Sequence, residues 1–204
     1  MKGIFHLHTV YSKDSTIKIE SLVKFIKLKK IDGICITDHD TFKGYEVLKK
    51  IANIEILPGI EIETNIGDII IVGLEEIKGK YSDYNTIIDY VKSNDGLIVI
   101  PHPFDIFRKG VLRKTKNVYF HALEIFNGRC VLDIFNKMAK IFCIKNKKIG
   151  IAGSDAHMLE ELDNCYLKYE GDFFECIKKG RFENIINKKS IVFHHLFTLS
   201  HKLL

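Results

Sequence analysis

The sequence has no uninterrupted apolar run near the ~20 residues needed to cross a bilayer as a helix, so no membrane span and no membrane partner are expected. Its start, Met1-Lys2-Gly3, leads straight into a mixed apolar and histidine stretch. It lacks the apolar core and small-residue cleavage site of a secretory leader, so a cytoplasmic location is expected. Cysteine is present without a pattern: Cys35, Cys130, Cys143, Cys165 and Cys176 are odd in number, widely spaced and free of any CxxC. A disulfide framework and a Cys-rich zinc site are thereby excluded, and buried apolar thiols remain. Blocks of like charge are missing too. The 31 Lys and Arg are interleaved with 26 Asp and Glu, so the net +5 permits a phosphate-bearing partner without demanding one. Repeats, low-complexity tracts and linkers are absent, and 204 residues with 46% hydrophobic content suit a single domain over 1–204.

What is present is an alternation of strand-like and helix-like runs. Ile4–His8 reads as a first strand, followed by a helix over Ile17–Lys30 with Ile19, Leu22, Val23 and Ile26 on one stripe. Gly33–Thr37 is the next strand, then a helix over Tyr45–Ile51. "EILPGIEIET" and "DIIIVGL" read as two strands joined tightly through Asn65-Ile66-Gly67. A helix over Tyr84–Lys92, the strand "GLIVIPHP", a basic loop, a strand over Ala122–Phe126, a helix over Val131–Lys145 and a strand over Ile149–Gly153 follow. A strand at Cys165–Tyr169, a helix at Phe173–Lys179 and an apolar, His-bearing end complete the chain. Such alternation, with nearly continuous apolar strands, predicts an α/β protein with a parallel sheet covered by helices; the pattern alone does not decide whether the sheet closes.

The chain has only 9 His, yet His6 and His8 stand at alternate positions of the first strand. Side chains at i and i+2 of a strand share a face, and a buried polar pair needs partners or a ligand. The other strands repeat the theme. Asp38, His39 and Asp40 end the second, Glu61 and Glu63 lie on the third, and His102 follows "LIVIP". Asn127 and Arg129 end "LEIFNGR", and Asp155 and His157 end "IGIAGSDAH". Active sites of parallel α/β sheets gather at the carboxyl ends of strands. Imidazoles and carboxylates converging there suit Zn, Mn or Fe, and a cation relieves the repulsion of clustered carboxylates. Each element has a plainer alternative: a lone His is usually hydrogen-bonded structure, and Asp38 or Asp40 suits a helix cap. Their coincidence on successive strands favours the metal.

The set His6-x-His8-Thr9-x-x-Ser12-x-Asp14, Thr37-Asp38-His39-Asp40-Thr41, Pro58-Gly59-Ile60-Glu61-Ile62, Pro101-His102-Pro103 and Gly153-Ser154-Asp155-Ala156-His157 resembles the PHP family, the polymerase and histidinol phosphatase domain. The resemblance spans residues 6 to 157 in family order. It implies a distorted seven-stranded (β/α)7 TIM-like barrel with two to three divalent ions at its mouth. By similarity His6, His8, Glu61 and Asp155 hold one ion, Glu61 bridges to a second that also takes His102, and Asp14, His39 and His157 hold the third. Where some members place His or Cys after the sixth strand, this sequence has Asn127, a weaker ligand for zinc, which leaves the second ion loosely held or dependent on substrate.

The implied chemistry is hydrolysis of a phosphoester by a metal-activated hydroxide. Arg108, Lys109, Arg113, Lys114 and Arg129 lie on or near the two loops beside His102 and Asn127, and Arg108 or Arg129 is expected to grip the phosphate. Asp38 is expected to act on the site directly or by orienting a ligating His. A phosphomonoester such as a nucleotide, sugar phosphate or histidinol-phosphate-like compound is the leading substrate, and no partner protein is indicated. A 3'-5' or 5'-3' exonuclease or phosphodiesterase acting on nucleic acid is the first alternative, a non-catalytic metal-binding module the second, and amide hydrolysis at the same centre is also compatible. Phe104, Phe107 and Phe126 near the mouth offer rings to a base or sugar, or pack the core.

Overall fold

Nine strands and five helices follow one another along the residues that the computed structural model describes, 1–77, 83–113 and 118–187. In chain order they are β1 (Lys2–Leu7), α1 (Ile19–Lys29), β2 (Gly33–Ile36), α2 (Lys43–Leu48), β3 (Glu55–Thr64), β4 (Gly67–Val72), α3 (Tyr84–Ser93) and β5 (Leu97–Ile100). Then come β6 (Ala122–Asn127), α4 (Asp133–Lys145), β7 (Ile149–Gly153), β8 (Cys165–Tyr169), α5 (Phe173–Lys179) and β9 (Phe182–Ile186). They form one sheet in the order β7-β6-β5-β4-β3-β2-β1-β8-β9. His194, His195, His201, Lys114 and the side chain of Arg113 lie outside the described residues.

The sheet is mixed, not parallel throughout as the alternation predicted. β1–β2, β2–β3, β5–β6 and β6–β7 pair in parallel. β4 is antiparallel to both its neighbours because only the short connection through Asn65 and Ile66 joins it to β3. Six wall strands therefore end at one rim, and they are the six that carry the polar residues. β7 curls back onto β1 at that rim: Ser154 N donates to Phe5 O (2.9 Å), Asp155 N to His6 O (2.6 Å) and His8 N to Ala156 O (2.8 Å). The result is a nearly closed barrel with seven wall strands, as expected, plus β8, antiparallel to β1, and β9, antiparallel to β8. β9 has few buried side chains and so no apolar pattern to announce it. Its Asn184 covers the rest of β7, accepting from Ala152 N (2.7 Å) and donating to Gly150 O (2.9 Å).

One face of the wall strands packs inward. Phe5, Cys35, Leu57, Ile70, Val72, Val99, Ala122 and Ile151 form a single buried cluster with Phe173 and Ile177 of α5. The opposite face meets the covering helices, for example Ile4, Leu7 and Ile36 against Leu22 and Ile26 of α1. α5 is set by its ends: Asp172 accepts from Glu175 N (2.8 Å), and Gly180 closes it in the left-handed region.

Candidate metal centre

Strict alternation along β1 would send His6 and His8 outward with Ile4, since Phe5 faces the interior. The strand avoids this with a bulge. His6 has φ 61, the pairing with β2 shifts register between Phe5 and Leu7, and both imidazoles turn into the barrel mouth. His102 (φ 30) and Asp155 (φ 52) are also left-handed, a conformation costing about 1–3 kcal/mol each for residues with a Cβ. Three of the seven left-handed non-glycine residues among those described thus aim side chains into the site.

Four ligand atoms converge at the centre. His6 Nε2 lies 3.1 Å from Glu61 Oε2, 3.2 Å from His8 Nε2 and 3.5 Å from Asp155 Oδ1. His8 Nε2 is 3.1 Å from the same Glu61 oxygen and 3.6 Å from Asp155 Oδ1. All four residues are at most 1% exposed. Glu61 turns its other oxygen, Oε1, to His102 Nε2 (3.2 Å), so one carboxylate faces two neighbouring groups. On the outer side Asp14 Oδ2 lies 3.2 Å from His157 Nε2 and 3.5 Å from His39 Nε2, and the rings of His39 and His157 flank His8 at 4.4 and 4.2 Å. Every metal ligand expected from the sequence is thus brought to one rim, Asn127 through its contact with Asp155.

The ring nitrogens facing away are held. His6 Nδ1 donates to Glu124 Oε1 (2.6 Å), and His157 Nδ1 to Asp155 O (2.9 Å). His8 Nδ1 donates to Ser12 Oγ (3.2 Å), which also accepts from His39 N (2.8 Å) and donates to Asp38 Oδ1 (3.1 Å). Partners at Nδ1 fix the tautomer that leaves Nε2 as the ligand atom. Asp38 belongs to this support. It accepts from Thr9 N (2.5 Å), Thr9 Oγ1 (2.7 Å) and Ser12, and reaches His8 only through Ser12, the geometry of an orienting residue.

Electrostatically the centre is a nest of opposed charges. Burial would lower the His6 imidazole, but Asp155, Glu124 and Glu61 outweigh it and raise its pKa well above the usual range. Burial would raise Glu61 and Asp155; His6 pulls Glu61 well below the ordinary carboxylate range, and Arg108 together with His6 does the same for Asp155. His157 is lowered by burial, while His39 is raised against burial by its hydrogen bond to Asp14.

Arg108 forms an ion pair with Asp155 and donates to Asn127 Oδ1 (3.2 Å), placing a guanidinium at the edge of the ligand cluster. Arg129 is further out, its Nε 3.8 Å from Glu161 Oε1. Asn127 differs from expectation. Its Oδ1 accepts from Arg108 and from Arg129 N (2.9 Å), and its Nδ2 donates to Glu124 Oε2 (2.7 Å) and Asp155 Oδ2 (2.8 Å). The amide holds carboxylates and a guanidinium together at the edge of the cluster. Glu63, beyond Glu61 on the same strand, is exposed and pairs with Lys109. Phe104 and Phe126 are buried in packing, while Phe107 stays 61% exposed beside Arg108.

Two acids, one buried and one half-buried, escaped the sequence reading. Glu124, inside "LEIF", holds His6, the backbone N of His102 (2.8 Å) and Asn127; a lone Glu in an apolar strand was the signal. Asp68 opens β4, whose reversed direction brings its start to the rim, and burial beside Glu61 pushes its carboxyl up to about 6. A separate cavity of about 590 Å³, lined by Asp40, Lys43, Glu46, Glu63, Glu75 and Glu76 among others, contains none of the converging ligands.

Comparison with known proteins now decides the family. The PHP domain model matches residues 5–100, and a PHP-associated model matches 133–182. The chain belongs to the PHP family. An uncharacterized protein of Methanocaldococcus jannaschii is 33% identical over 83% of this chain and 70% of its own length. A "Probable phosphatase" of Caldicellulosiruptor saccharolyticus is 26% identical over 78% of this chain and 82% of its own. The crystal structure of PsfC from Pseudomonas syringae covers 98% of both chains with TM-score 0.68 at 18% identity, a likeness of fold. PHP membership and the "Probable phosphatase" relative support a hydrolase of the metal-dependent phosphoesterase kind.

Proposed function

We propose that the protein hydrolyses a phosphomonoester at the barrel mouth with the help of two to three divalent ions, Zn, Mn or Fe. The carrying observation is the convergence of His6 Nε2, His8 Nε2, Glu61 Oε2 and Asp155 Oδ1, with the Arg108 guanidinium beside them. The residues fit cations in a testable sense. Asp155 Oδ1 is buried and accepts no hydrogen bond, three imidazoles have Nδ1 held and Nε2 turned to carboxylates, and Glu61 offers one oxygen to each of two groups. His6, His8, Glu61 and Asp155 would hold one ion, Asp14, His39 and His157 another, and Glu61 with His102 a third. Ions so held acidify water and offset the charge of a phosphoryl group. The chain itself supplies the rest. Arg108 presents a fork-shaped cation suited to phosphate oxygens, Glu124 and the Ser12–Asp38 pair keep the imidazoles aimed, and exposed Phe107 offers a ring to a base or sugar.

The test is phosphate release from a panel of nucleotides, sugar phosphates and histidinol phosphate, beside end-labelled DNA and RNA. Protein is chelated and reloaded with Mn, Zn or Fe, with His8→Ala as control. Metal-dependent cleavage of a monoester that vanishes in His8→Ala is expected. Cleavage of oligonucleotides alone moves the assignment to a nuclease, and silence on every substrate with metal bound refutes both.

A further inference from the structure

The second group, around Glu61 Oε1 and His102, lacks a third ligand once Asn127 is committed elsewhere. The reversed strand β4 provides a replacement. In the antiparallel register Asp68 stands opposite Glu63, two residues past Glu61, and residues directly opposite share a face. Asp68 is half-buried, and one of its oxygens lies within 4.8 Å of ligand atoms of both Glu61 and His102. Its backbone is fixed: Asp68 N donates to Lys109 O (3.1 Å), and Gly67 before it has φ +134, where a Cβ would strike that same carbonyl. His102 is held through its backbone N by Glu124, and its Nδ1 is buried without a hydrogen-bond partner.

We infer that Asp68 is a metal ligand, completing with Glu61 and His102 a second cation site in which a carboxylate replaces the side chain at Asn127. The inference rests on the metal-dependent reading above and deepens it. Two carboxylates and one imidazole form an oxygen-rich donor set, which suits Mn²⁺ better than the thiolate and imidazole sets typical of tightly held zinc. The exchange also explains the surroundings. Asn127, freed from ligation, ties Glu124, Asp155, Arg108 and the Arg129 backbone together with its one amide.

The experiment counts Mn²⁺ bound per chain after chelation and reloading, by elemental analysis and by electron paramagnetic resonance. It compares the unaltered protein, Asp68→Asn and Glu63→Gln, the last being the exposed neighbour on the same hairpin. Asp68→Asn is expected to bind one ion fewer, and Glu63→Gln the full complement. An undiminished count and affinity in Asp68→Asn overturns the inference. Should the variant not fold, anomalous diffraction from Mn-soaked crystals of the unaltered protein decides. A peak bonded to Asp68, Glu61 and His102 supports the inference, and a peak on Glu61 and His102 with Asp68 unbonded, or no peak there, refutes it. Counts are read without substrate, so a failure to find phosphatase activity leaves this result standing on its own.

Discussion

Glu124→Gln keeps the shape of the side chain and removes its charge, which makes it the sharpest probe of how the centre is held. Glu124 accepts three hydrogen bonds, from His6 Nδ1 (2.6 Å), His102 N (2.8 Å) and Asn127 Nδ2 (2.7 Å), the last two on Oε2. An amide has one acceptor oxygen. If that oxygen keeps the two bonds at Oε2, the NH₂ group faces His6 Nδ1. That nitrogen must then accept, so the proton moves to Nε2 and points at Glu61 and His8, where a cation should sit. One charge-assisted bond is lost as well, about 1.5–3 kcal/mol, in line with the roughly 10–100-fold loss of metal affinity typical of such supporting partners. Calorimetric titration of chelated protein with Mn²⁺ at pH 7.5, with Tm measured alongside, is the assay. A 10–100-fold weaker first binding event with the fold intact is expected. Affinity within about twofold of the unaltered protein would refute the tautomer argument and leave Glu124 as core packing.

Three further outcomes follow from the same contacts. Gly153→Ala places a methyl group directly on Glu124 Oε1, so it should weaken metal binding in the manner of Glu124→Gln while differing in Tm; unchanged affinity by titration would show that Glu124 can give way. Arg108→Ala removes the cation paired with Asp155 and should raise KM for the cleaved monoester about 10–100-fold, the value of a charge-assisted contact; an unchanged KM in steady-state kinetics rules out phosphate gripping. His121 is lowered from its ordinary value of 6.5 by burial and by Lys178 and Lys92, and its Nδ1 accepts from Ile98 N (3.0 Å). The folded state therefore takes up that proton less readily than the unfolded chain. Its stabilising effect is complete above pH 6.5 and erodes as the pH falls below it, so the Tm advantage over His121→Gln should shrink between pH 7.5 and 5; a constant gap sinks the assignment.

Most of the wall was legible because its physics is local. "GICIT" and "IGIAG" are short apolar runs bounded by polar clusters, and each is a strand within a residue of its expected ends, while "GLIVIPHP" gives up its last three residues to the turn at His102. The ligand set was legible for a related reason: polar residues that terminate apolar strands have few places to go except a shared rim. What stayed hidden depends on facts that alternation does not encode. The inward turn of His6 needs a bulge with φ 61, and ideal pleating predicts the opposite face relative to Phe5. The reversal of β4 follows from the brevity of its connection, yet its consequence, that the first residue after Gly67 reaches the rim, requires the register. Asn127 was read by position, as the residue standing where a ligand should be. Its side-chain amide's partners are four groups drawn from β6 and the loops after β5, β6 and β7, a pattern only closure of the barrel creates. Substitution at one ligand position and recruitment at another are therefore linked through geometry. An amide at the end of β6 organises carboxylates, and the strand running the other way is the element whose start faces Glu61 and His102.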